Sequence, residues 1–250
     1  MAVERVRTGI AGLDSAMKGG FPRGSVTLLS GGPGTGKTTL AMQYIYQGAK
    51  NNEPGVYITF EQEPEDLTET ANQFGMDFQK LEKEGKVKVL RIRNAKDYSK
   101  VLKTVEANVM KINARRLVFD SLSSIEIFAS TFSSISKDIP PQVLAEKFSI
   151  MPPANMIIRR LMYKIIDSFK EMKVTTLLTS ESQNSEFSRH GIAEFVTDGI
   201  IAMNYLGMGN QNFRSLKIVK MRKTKHEEDF IPFTFGKKGI ELSKKDTFKV

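Results

Sequence analysis

The chain has 250 residues, enough for one sizeable α/β domain or two small ones, and its hydrophobic fraction of 40% is ordinary for a globular protein with a buried core. It contains no cysteine and two histidines, which excludes disulfides, thiolate nucleophiles and zinc–thiolate sites and leaves little material for a histidine metal site. No run approaches the roughly 18 apolar residues of a membrane helix, and the first residues lack a signal-peptide pattern, so we expect a cytoplasmic protein with no membrane partner.

The chain is basic, with a formal net charge of +9. Residues 211–250 hold eleven Lys or Arg against five Asp or Glu, so much of the excess lies near the carboxyl end. A basic surface attracts phosphate, in a nucleotide or in nucleic acid. The alternative is a solvated, lysine-rich strand edge, which also limits aggregation. A nucleic-acid partner therefore stays open on charge alone.

Up to about residue 180, short apolar runs alternate with segments of helical periodicity. This alternation predicts parallel βαβ crossovers and therefore an α/β fold, with a mostly parallel, doubly wound sheet that carries helices on both faces. We expect strands over 26–30, 55–60, 87–92, 117–119 and 174–179, and helices from Thr38, from Pro64, over 98–112 and over 154–171.

The pattern changes after about residue 195, where apolar runs follow one another without helical segments. This predicts an antiparallel extension of the same sheet at its C-terminal end. The sequence shows no linker, so residues 1–250 are expected to form a single domain. Prolines punctuate 131–153, which is predicted to be a lid, a partner-facing loop or an ordered insertion. The late apolar runs are 195–196, 199–203, 216–220 and 231–235.

A glycine-rich loop between the first long strand and the first long helix matches the pattern Gly-x4-Gly-Lys-Thr. In such a loop, backbone N–H groups cradle phosphate oxygens, and the amino end of the helix adds partial positive charge. Lys37 is expected to reach the β- and γ-phosphates of ATP, and the Thr38 hydroxyl to ligate Mg²⁺. The alternative is a glycine turn with no ligand. The predicted nucleotide-binding residues here are Gly31, Gly32, Pro33, Gly34, Thr35, Gly36, Lys37, Thr38 and Thr39.

A phosphate loop of this kind needs an acidic partner at the end of another strand, to hold magnesium through water. Asp120 directly follows the short apolar run 117–119 and is the candidate for that role. Taken alone, an aspartate at a strand end is more often a helix cap or a turn former. Its combination with the phosphate loop favours the magnesium role.

Hydrolysis of ATP also needs a base that orients the attacking water in line with the γ-phosphate. Glu61 follows the strand over 55–60 and is the candidate, and alternation along a strand would let Glu63 share its side. The alternative is that these acids only stabilise the helix that starts near Pro64. Ser180 and Glu181 end a later strand where a γ-phosphate sensor is expected, although a helix cap there fits nearly as well.

Together these motifs resemble the RecA-like P-loop ATPases, and most closely their KaiC-like branch, which includes many single-domain archaeal proteins. The resemblance covers nearly the whole chain and implies ATP or ADP with Mg²⁺ as ligands. In RecA-like relatives, the segment that matches 190–198 faces the centre of a ring. The matching segments are 8–14 and 19–25 before the loop, 60–61, 118–121, 176–181 and 190–198.

The most informative part of the resemblance is the basic string Lys220-Met221-Arg222-Lys223-Thr224-Lys225-His226. In the KaiC-like family, a Lys-x-Arg-x-Thr-x-His string enters the nucleotide site of the neighbouring subunit. The resemblance therefore implies a homo-oligomeric ring, expected to be a hexamer, with Lys220, Arg222 and His226 as trans-acting nucleotide contacts. Alternate residues of a strand share a face, and an arginine can fork onto phosphate oxygens. The alternative is a plain solvated strand.

The sequence also departs from its relatives. It has Glu61-Gln62 where the clock members of the family carry two acids, and one phosphate loop where they carry two domains, so nothing supports autophosphorylation. It lacks the Phe-x-x-Ala tether of RadA-type recombinases. The leading hypothesis is a slow ATPase coupled to an unidentified protein partner in regulation or signalling. The alternatives are a nucleotide-gated binding module with little turnover and a DNA-acting accessory ATPase, the latter suggested by the charge and by Arg189 and His190.

Overall fold

The structure is a computed structural model that describes residues 2–93, 97–124, 154–182, 187–188, 191–208 and 211–243. The predicted lid or insertion at 131–153 and the pair Arg189 and His190 lie outside these residues. The strands are β1 (Arg5–Val6), β2 (Phe21–Pro22), β3 (Val26–Gly31), β4 (Gly55–Thr59), β5 (Val87–Arg91), β6 (Arg116–Asp120), β7 (Thr175–Ser180), β8 (Gly199–Met208), β9 (Gln211–Met221), β10 (Ile231–Gly236) and β11 (Gly239–Leu242). The helices are α1 (Leu13–Ala16), α2 (Lys37–Lys50), α3 (Pro64–Gln73), α4 (Phe78–Lys83), α5 (Tyr98–Lys111), α6 (Ala154–Glu171) and α7 (Ala193–Val196).

A nine-stranded sheet in the order β11-β10-β9-β8-β3-β7-β6-β4-β5 organises the fold. The six strands from β8 to β5 are parallel, and β9, β10 and β11 extend the sheet antiparallel to their neighbours. This confirms the predicted mostly parallel α/β sheet with an antiparallel C-terminal extension. Because the parallel strands all end at one edge, their carboxyl ends bring together side chains that are far apart in sequence.

The extension begins one strand later than the sequence suggested. Residues 195–196 are part of the short helix α7, and β8 pairs parallel with β3, so that Leu28 lies opposite Ile200. The prediction that 199–203 belongs to the antiparallel part was therefore wrong. A short apolar run has the same pattern in a parallel and in an antiparallel strand. The helix before it has four residues, too few to show helical periodicity.

Separate apolar clusters cover the two faces of the sheet. Leu29 and Tyr57 point to the side of α2, whereas Leu28 and Ile58 point to the side of α5 and α6. This alternation follows from the two-residue period of a strand. Within the described ranges, no helix is both long and apolar enough to cross a membrane.

Candidate functional site

The glycine-rich loop connects β3 directly to α2, as the sequence predicted. β3 ends at Gly31 and α2 begins at Lys37, with Thr38 and Thr39 in its first turn. A side chain at Gly31 would meet the carbonyl oxygen of Met203 on β8 at 2.5 Å, and Gly36 has a φ of 106° that disfavours other residues. The loop is therefore held close to the sheet, and its glycines are required by space and by backbone conformation.

The side chain of Lys37 lies over the loop. Its ammonium donates hydrogen bonds to the carbonyl oxygens of Gly31 at 2.7 Å and Gly32 at 2.9 Å. Burial lowers the pKa of Lys37 below its ordinary value, and the opposite charges of nearby carboxylates act against this shift. The ammonium is thus positioned where an anion held by the loop would meet it. The opposing carboxylates are Asp120, Glu181 and Glu61.

Asp120 lies beside Thr38, as the predicted magnesium pair requires. The Thr38 hydroxyl donates to Asp120 Oδ2 at 3.3 Å. Two further hydroxyls donate to the same carboxylate, from Tyr57 to Oδ2 and from Thr179 to Oδ1, both at 2.6 Å. Neither role was predicted from the sequence, although Thr179 lies in the segment 176–181 that resembles the family. Asp120 is therefore oriented by side chains from three other elements.

Glu61 lies at the carboxyl edge of the sheet, next to the end of β6. Its Oε1 accepts hydrogen bonds from the hydroxyls of Ser121 at 3.2 Å and Ser124 at 2.9 Å. Glu63 does not share its surroundings, because ion pairs with Arg91 and Arg93 hold its carboxylate. These arginines lower the pKa of Glu63 despite the opposing effect of burial. Of these two carboxylates, Glu61 is the one placed beside the candidate magnesium residue.

The end of β7 also borders the phosphate loop. The backbone N–H of Glu181 donates to Ser123 Oγ at 3.0 Å, and that of Ser182 donates to the carbonyl oxygen of Gly31 at 3.4 Å. Ser180 Oγ lies 3.3 Å from Ser123 Oγ. The segment proposed as a γ-phosphate sensor is therefore adjacent to the loop, while the sensing role itself stays a prediction.

The basic string starts near the end of the strands that is opposite the phosphate loop of its own chain. Lys220 donates to the carbonyl oxygens of Glu194 at 2.9 Å and Thr197 at 2.6 Å, at the end of α7. Arg222 forms an ion pair with Asp198 at 3.2 Å. His226 Nδ1 lies 2.9 Å from the carbonyl oxygen of the next residue. The structure thus separates these three residues from the site that the chain itself builds, and their trans contacts stay a prediction.

A second group that sequence analysis missed comes from the antiparallel extension. The Tyr205 hydroxyl donates to the carbonyl oxygen of Gly34 at 2.8 Å, and Arg214 donates to that hydroxyl at 2.7 Å. The Arg214 guanidinium lies 4.8 Å from the ring centres of both Tyr205 and Phe235. A side chain at Gly36 would come within 2.9 Å of Phe235. Flat aromatic and guanidinium faces of this kind can stack on a nucleotide base.

Comparison with known proteins gives a consistent result for sequence and structure. A family model described as "ATPase: KaiC" matches residues 6–135 and 149–247. The circadian clock oscillator protein KaiC of Synechococcus elongatus (strain PCC 7942) is 31% identical over 253 residues, covering 96% of the chain and 44% of that protein. Its counterpart from Picosynechococcus sp. (strain PCC 7002) is 30% identical over 252 residues, with coverage of 96% and 44%.

A crystal structure of a KaiC-like protein from the hyperthermophilic archaeon Pyrococcus horikoshii OT3 is also similar. It is 37% identical, with a TM-score of 0.81, and the match covers 97% of the chain and 100% of that structure. The chain spans less than half of the length of the two cyanobacterial proteins.

Proposed function

Because the chain belongs to the KaiC family of ATPases, we propose that it binds ATP with Mg²⁺ and hydrolyses it slowly at the subunit interfaces of a homo-oligomeric ring. Membership of the family supports ATP binding and ATPase activity in general. The slow rate, the hexameric ring and a regulatory or signalling role with a protein partner are the specific parts of the proposal.

The observation that carries the proposal is the convergence of four side chains at the carboxyl edge of the sheet. Lys37 and Thr38 begin α2, Asp120 ends β6, and Glu61 follows β4. Thr38 contacts Asp120 directly, and the charges of both carboxylates act on the pKa of Lys37. Phosphoryl transfer to water requires this combination of a cation, a metal-binding pair and a residue that orients the water.

Phosphate binding would fall to the loop and to Lys37. The loop lies at the amino end of α2, where the backbone N–H groups of the first turn and the helix dipole favour negative charge. The Lys37 ammonium now donates to two loop carbonyls and can exchange these acceptors for phosphate oxygens. Because Lys37 is partly buried, its charge acts on a bound phosphate with less screening by water than a surface lysine would.

The magnesium ion would be held by Thr38 through its hydroxyl and by Asp120 through water. Hydroxyl and carboxylate oxygens are hard ligands, which suit Mg²⁺, and the two side chains are already in contact. When bound, Mg²⁺ neutralises the charge of the phosphate oxygens during transfer.

Glu61 would orient the attacking water and accept its proton. Oε1 is held by the hydroxyls of Ser121 and Ser124. In the described part of the chain, no hydrogen bond reaches its other oxygen, Oε2, so we assign the water contact to Oε2. The two serine hydroxyls would then keep the carboxylate in one orientation while Oε2 takes up the proton.

The position of the basic string supports the proposed ring. Lys220 near the end of β9 and Arg222 just after it lie away from the loop of their own chain, and a head-to-tail arrangement would bring them to the loop of a neighbour. A guanidinium supplied in trans stabilises the charge of the transferred phosphoryl group. Arg222 could leave Asp198 without leaving that carboxylate unpaired, because Lys170 also lies 3.2 Å from it.

Two measurements together test this function. The molar mass in solution, measured with and without ATP, tests the ring. We expect a hexamer whose population depends on ATP. A single-turnover experiment with Mg²⁺ and limiting ATP tests hydrolysis. We expect bound ATP to be converted to ADP and phosphate. Retention of intact ATP would instead identify a nucleotide-gated binding module. Salt-sensitive binding of single-stranded DNA that accelerates hydrolysis would identify the DNA-acting alternative.

A further inference from the structure

Tyr57 is a fully buried tyrosine whose hydroxyl reaches the candidate magnesium site. It lies on β4, opposite Val118 of β6. Asp120 follows Val118 by two residues on β6, so the side chains of Tyr57 and Asp120 are on the same face of the sheet. The ring packs in the apolar cluster beneath α2, and the hydroxyl donates to Asp120 Oδ2 at 2.6 Å. The long side chain thus spans the distance between the middle of β4 and the end of β6.

Thr179 does the same from the other side. In the sheet, β6 lies between β4 and β7, and Thr179 on β7 donates to Asp120 Oδ1 at 2.6 Å. Each oxygen of the carboxylate therefore receives a short hydrogen bond from a hydroxyl on a flanking strand. With both oxygens held, rotation of the carboxylate would break at least one of these bonds.

We infer that Tyr57 is a positioning residue for magnesium, because its hydroxyl fixes Asp120 with Oδ2 turned toward Thr38. This inference rests on the proposed binding of MgATP. Partners that orient a metal-binding carboxylate affect metal affinity without touching the metal. Tyr57 does not have to contact the nucleotide to act in this way.

The hydroxyl, not the ring, is the part of Tyr57 that this role needs. A phenylalanine would fill the same apolar space and would not bring a polar atom into the core. A buried hydroxyl is stabilising only when it is hydrogen-bonded, and here its partner is the carboxylate proposed to hold the metal.

Tyr57→Phe tests the inference, and Tyr44→Phe is the matched control. Tyr44 is likewise fully buried, and its hydroxyl donates one hydrogen bond, at 2.8 Å, to the carbonyl oxygen of Thr175 at the start of β7, away from the site. For each protein, a fluorescent ATP analogue is titrated in EDTA, and Mg²⁺ is then titrated at fixed analogue concentration. The two titrations separate nucleotide affinity from magnesium affinity.

We expect Tyr57→Phe to raise the Mg²⁺ concentration at half-saturation by about tenfold or more. Its affinity for the analogue in EDTA should match that of the wild type, and Tyr44→Phe should match the wild type in both titrations. Thr179→Val removes the hydroxyl that donates to the other oxygen of Asp120 and should shift the Mg²⁺ midpoint in the same direction. If Tyr57→Phe does not fold, Thr179→Val tests the same orientation of Asp120.

An unchanged Mg²⁺ midpoint in Tyr57→Phe would overturn the inference while leaving the proposed function intact. A loss of affinity that is equal with and without Mg²⁺ would also overturn it, because that result indicates general damage to the site. A wild-type chain that binds the analogue with no dependence on Mg²⁺ would reject the proposed function and, with it, the role of Tyr57.

Discussion

Lys220 lies opposite Ile200 in the antiparallel pair of β8 and β9. Ile200 in turn lies opposite Leu28 near the start of β3, whereas the phosphate loop follows the end of that strand. The basic string therefore continues away from the nucleotide site of its own chain. This position agrees with the proposal that the string contacts the nucleotide of a second copy of the chain.

A mixture of two inactive variants tests this contact. Arg222→Ala keeps the loop but lacks the trans-acting guanidinium, and Lys37→Ala keeps Arg222 but lacks a working loop. Each variant alone should lose at least about tenfold in ATP hydrolysis. An equimolar mixture should regain up to about a quarter of the wild-type rate, because half of the loops are intact and half of those meet an intact Arg222 in a head-to-tail ring.

Lys225→Ala is the control for this mixture, since it removes one exposed charge from the same string. It should leave the rate unchanged. A mixture that is no more active than its two components would contradict a contact in trans.

Glu61→Gln should separate nucleotide binding from hydrolysis. The amide keeps the shape of the side chain and can still accept from Ser121 and Ser124, but it cannot take a proton from water. We expect phosphate release to fall by about 100-fold or more, with ATP affinity within about twofold of wild type. Glu65→Gln, on an exposed residue in the first turn of α3, is the control. Hydrolysis that is equally fast in both variants would remove Glu61 from the mechanism.

Lys220→Met should destabilise the fold even in the absence of nucleotide. The Lys220 ammonium donates to two carbonyl oxygens at the end of α7, and methionine replaces the ammonium without replacing its hydrogen bonds. A loss of about 1–3 kcal/mol in the free energy of unfolding is expected from chemical denaturation. Arg222→Ala, which removes a more exposed side chain, should lose much less. Equal stability of Lys220→Met and wild type would contradict the intrachain contact.

The ion pair between buried Arg116 and half-buried Glu53 should make stability depend on pH. Burial acts to raise the pKa of Glu53, but hydrogen bonds and charge from Arg116 and Arg23 outweigh it and leave the pKa below its ordinary value of 4.5. The folded chain therefore binds fewer protons at Glu53 than the unfolded chain does. The resulting stability is present above pH 4.5 and is lost as the pH falls through the lowered pKa of the folded state.

Thermal unfolding of Glu53→Gln and wild type between pH 7 and pH 3 measures this effect. The difference in Tm should be largest near pH 7 and should shrink below about pH 4.5. Glu106→Gln, on an exposed position of α5, should show little difference at any pH. A gap between Glu53→Gln and wild type that does not change with pH would contradict the assignment.

The central parts of the site could be predicted from sequence because their signals are local. The loop residues from Gly31 to Thr38 form a continuous pattern, and Asp120 and Glu61 each end or follow a short apolar strand. In a parallel sheet, all such positions meet at one edge. The convergence of Thr38 and Asp120 is therefore a consequence of the predicted fold.

The supporting residues could not be predicted in this way. The hydrogen bond from Tyr57 to Asp120 depends on which strands are neighbours and on their register. A local sequence pattern predicts neither the strand order nor the register. Lys220 was predicted to act in trans, and its hydrogen bonds to α7 could not be predicted because they depend on how α7 packs in the fold. The apolar run in β8 has the same periodicity in a parallel and in an antiparallel pair, so its parallel pairing with β3 could not be predicted.

Release of phosphate from ATP tests the proposed site most directly. The purified wild-type chain, Lys37→Ala and Lys50→Ala are compared with ATP and Mg²⁺, and Lys50 serves as the control because it lies at the far end of the same helix. The wild type and Lys50→Ala should release phosphate at equal rates, while Lys37→Ala should be slower by about 100-fold or more. A rate for Lys37→Ala equal to that of the wild type would contradict the assignment of the ATPase site to this loop.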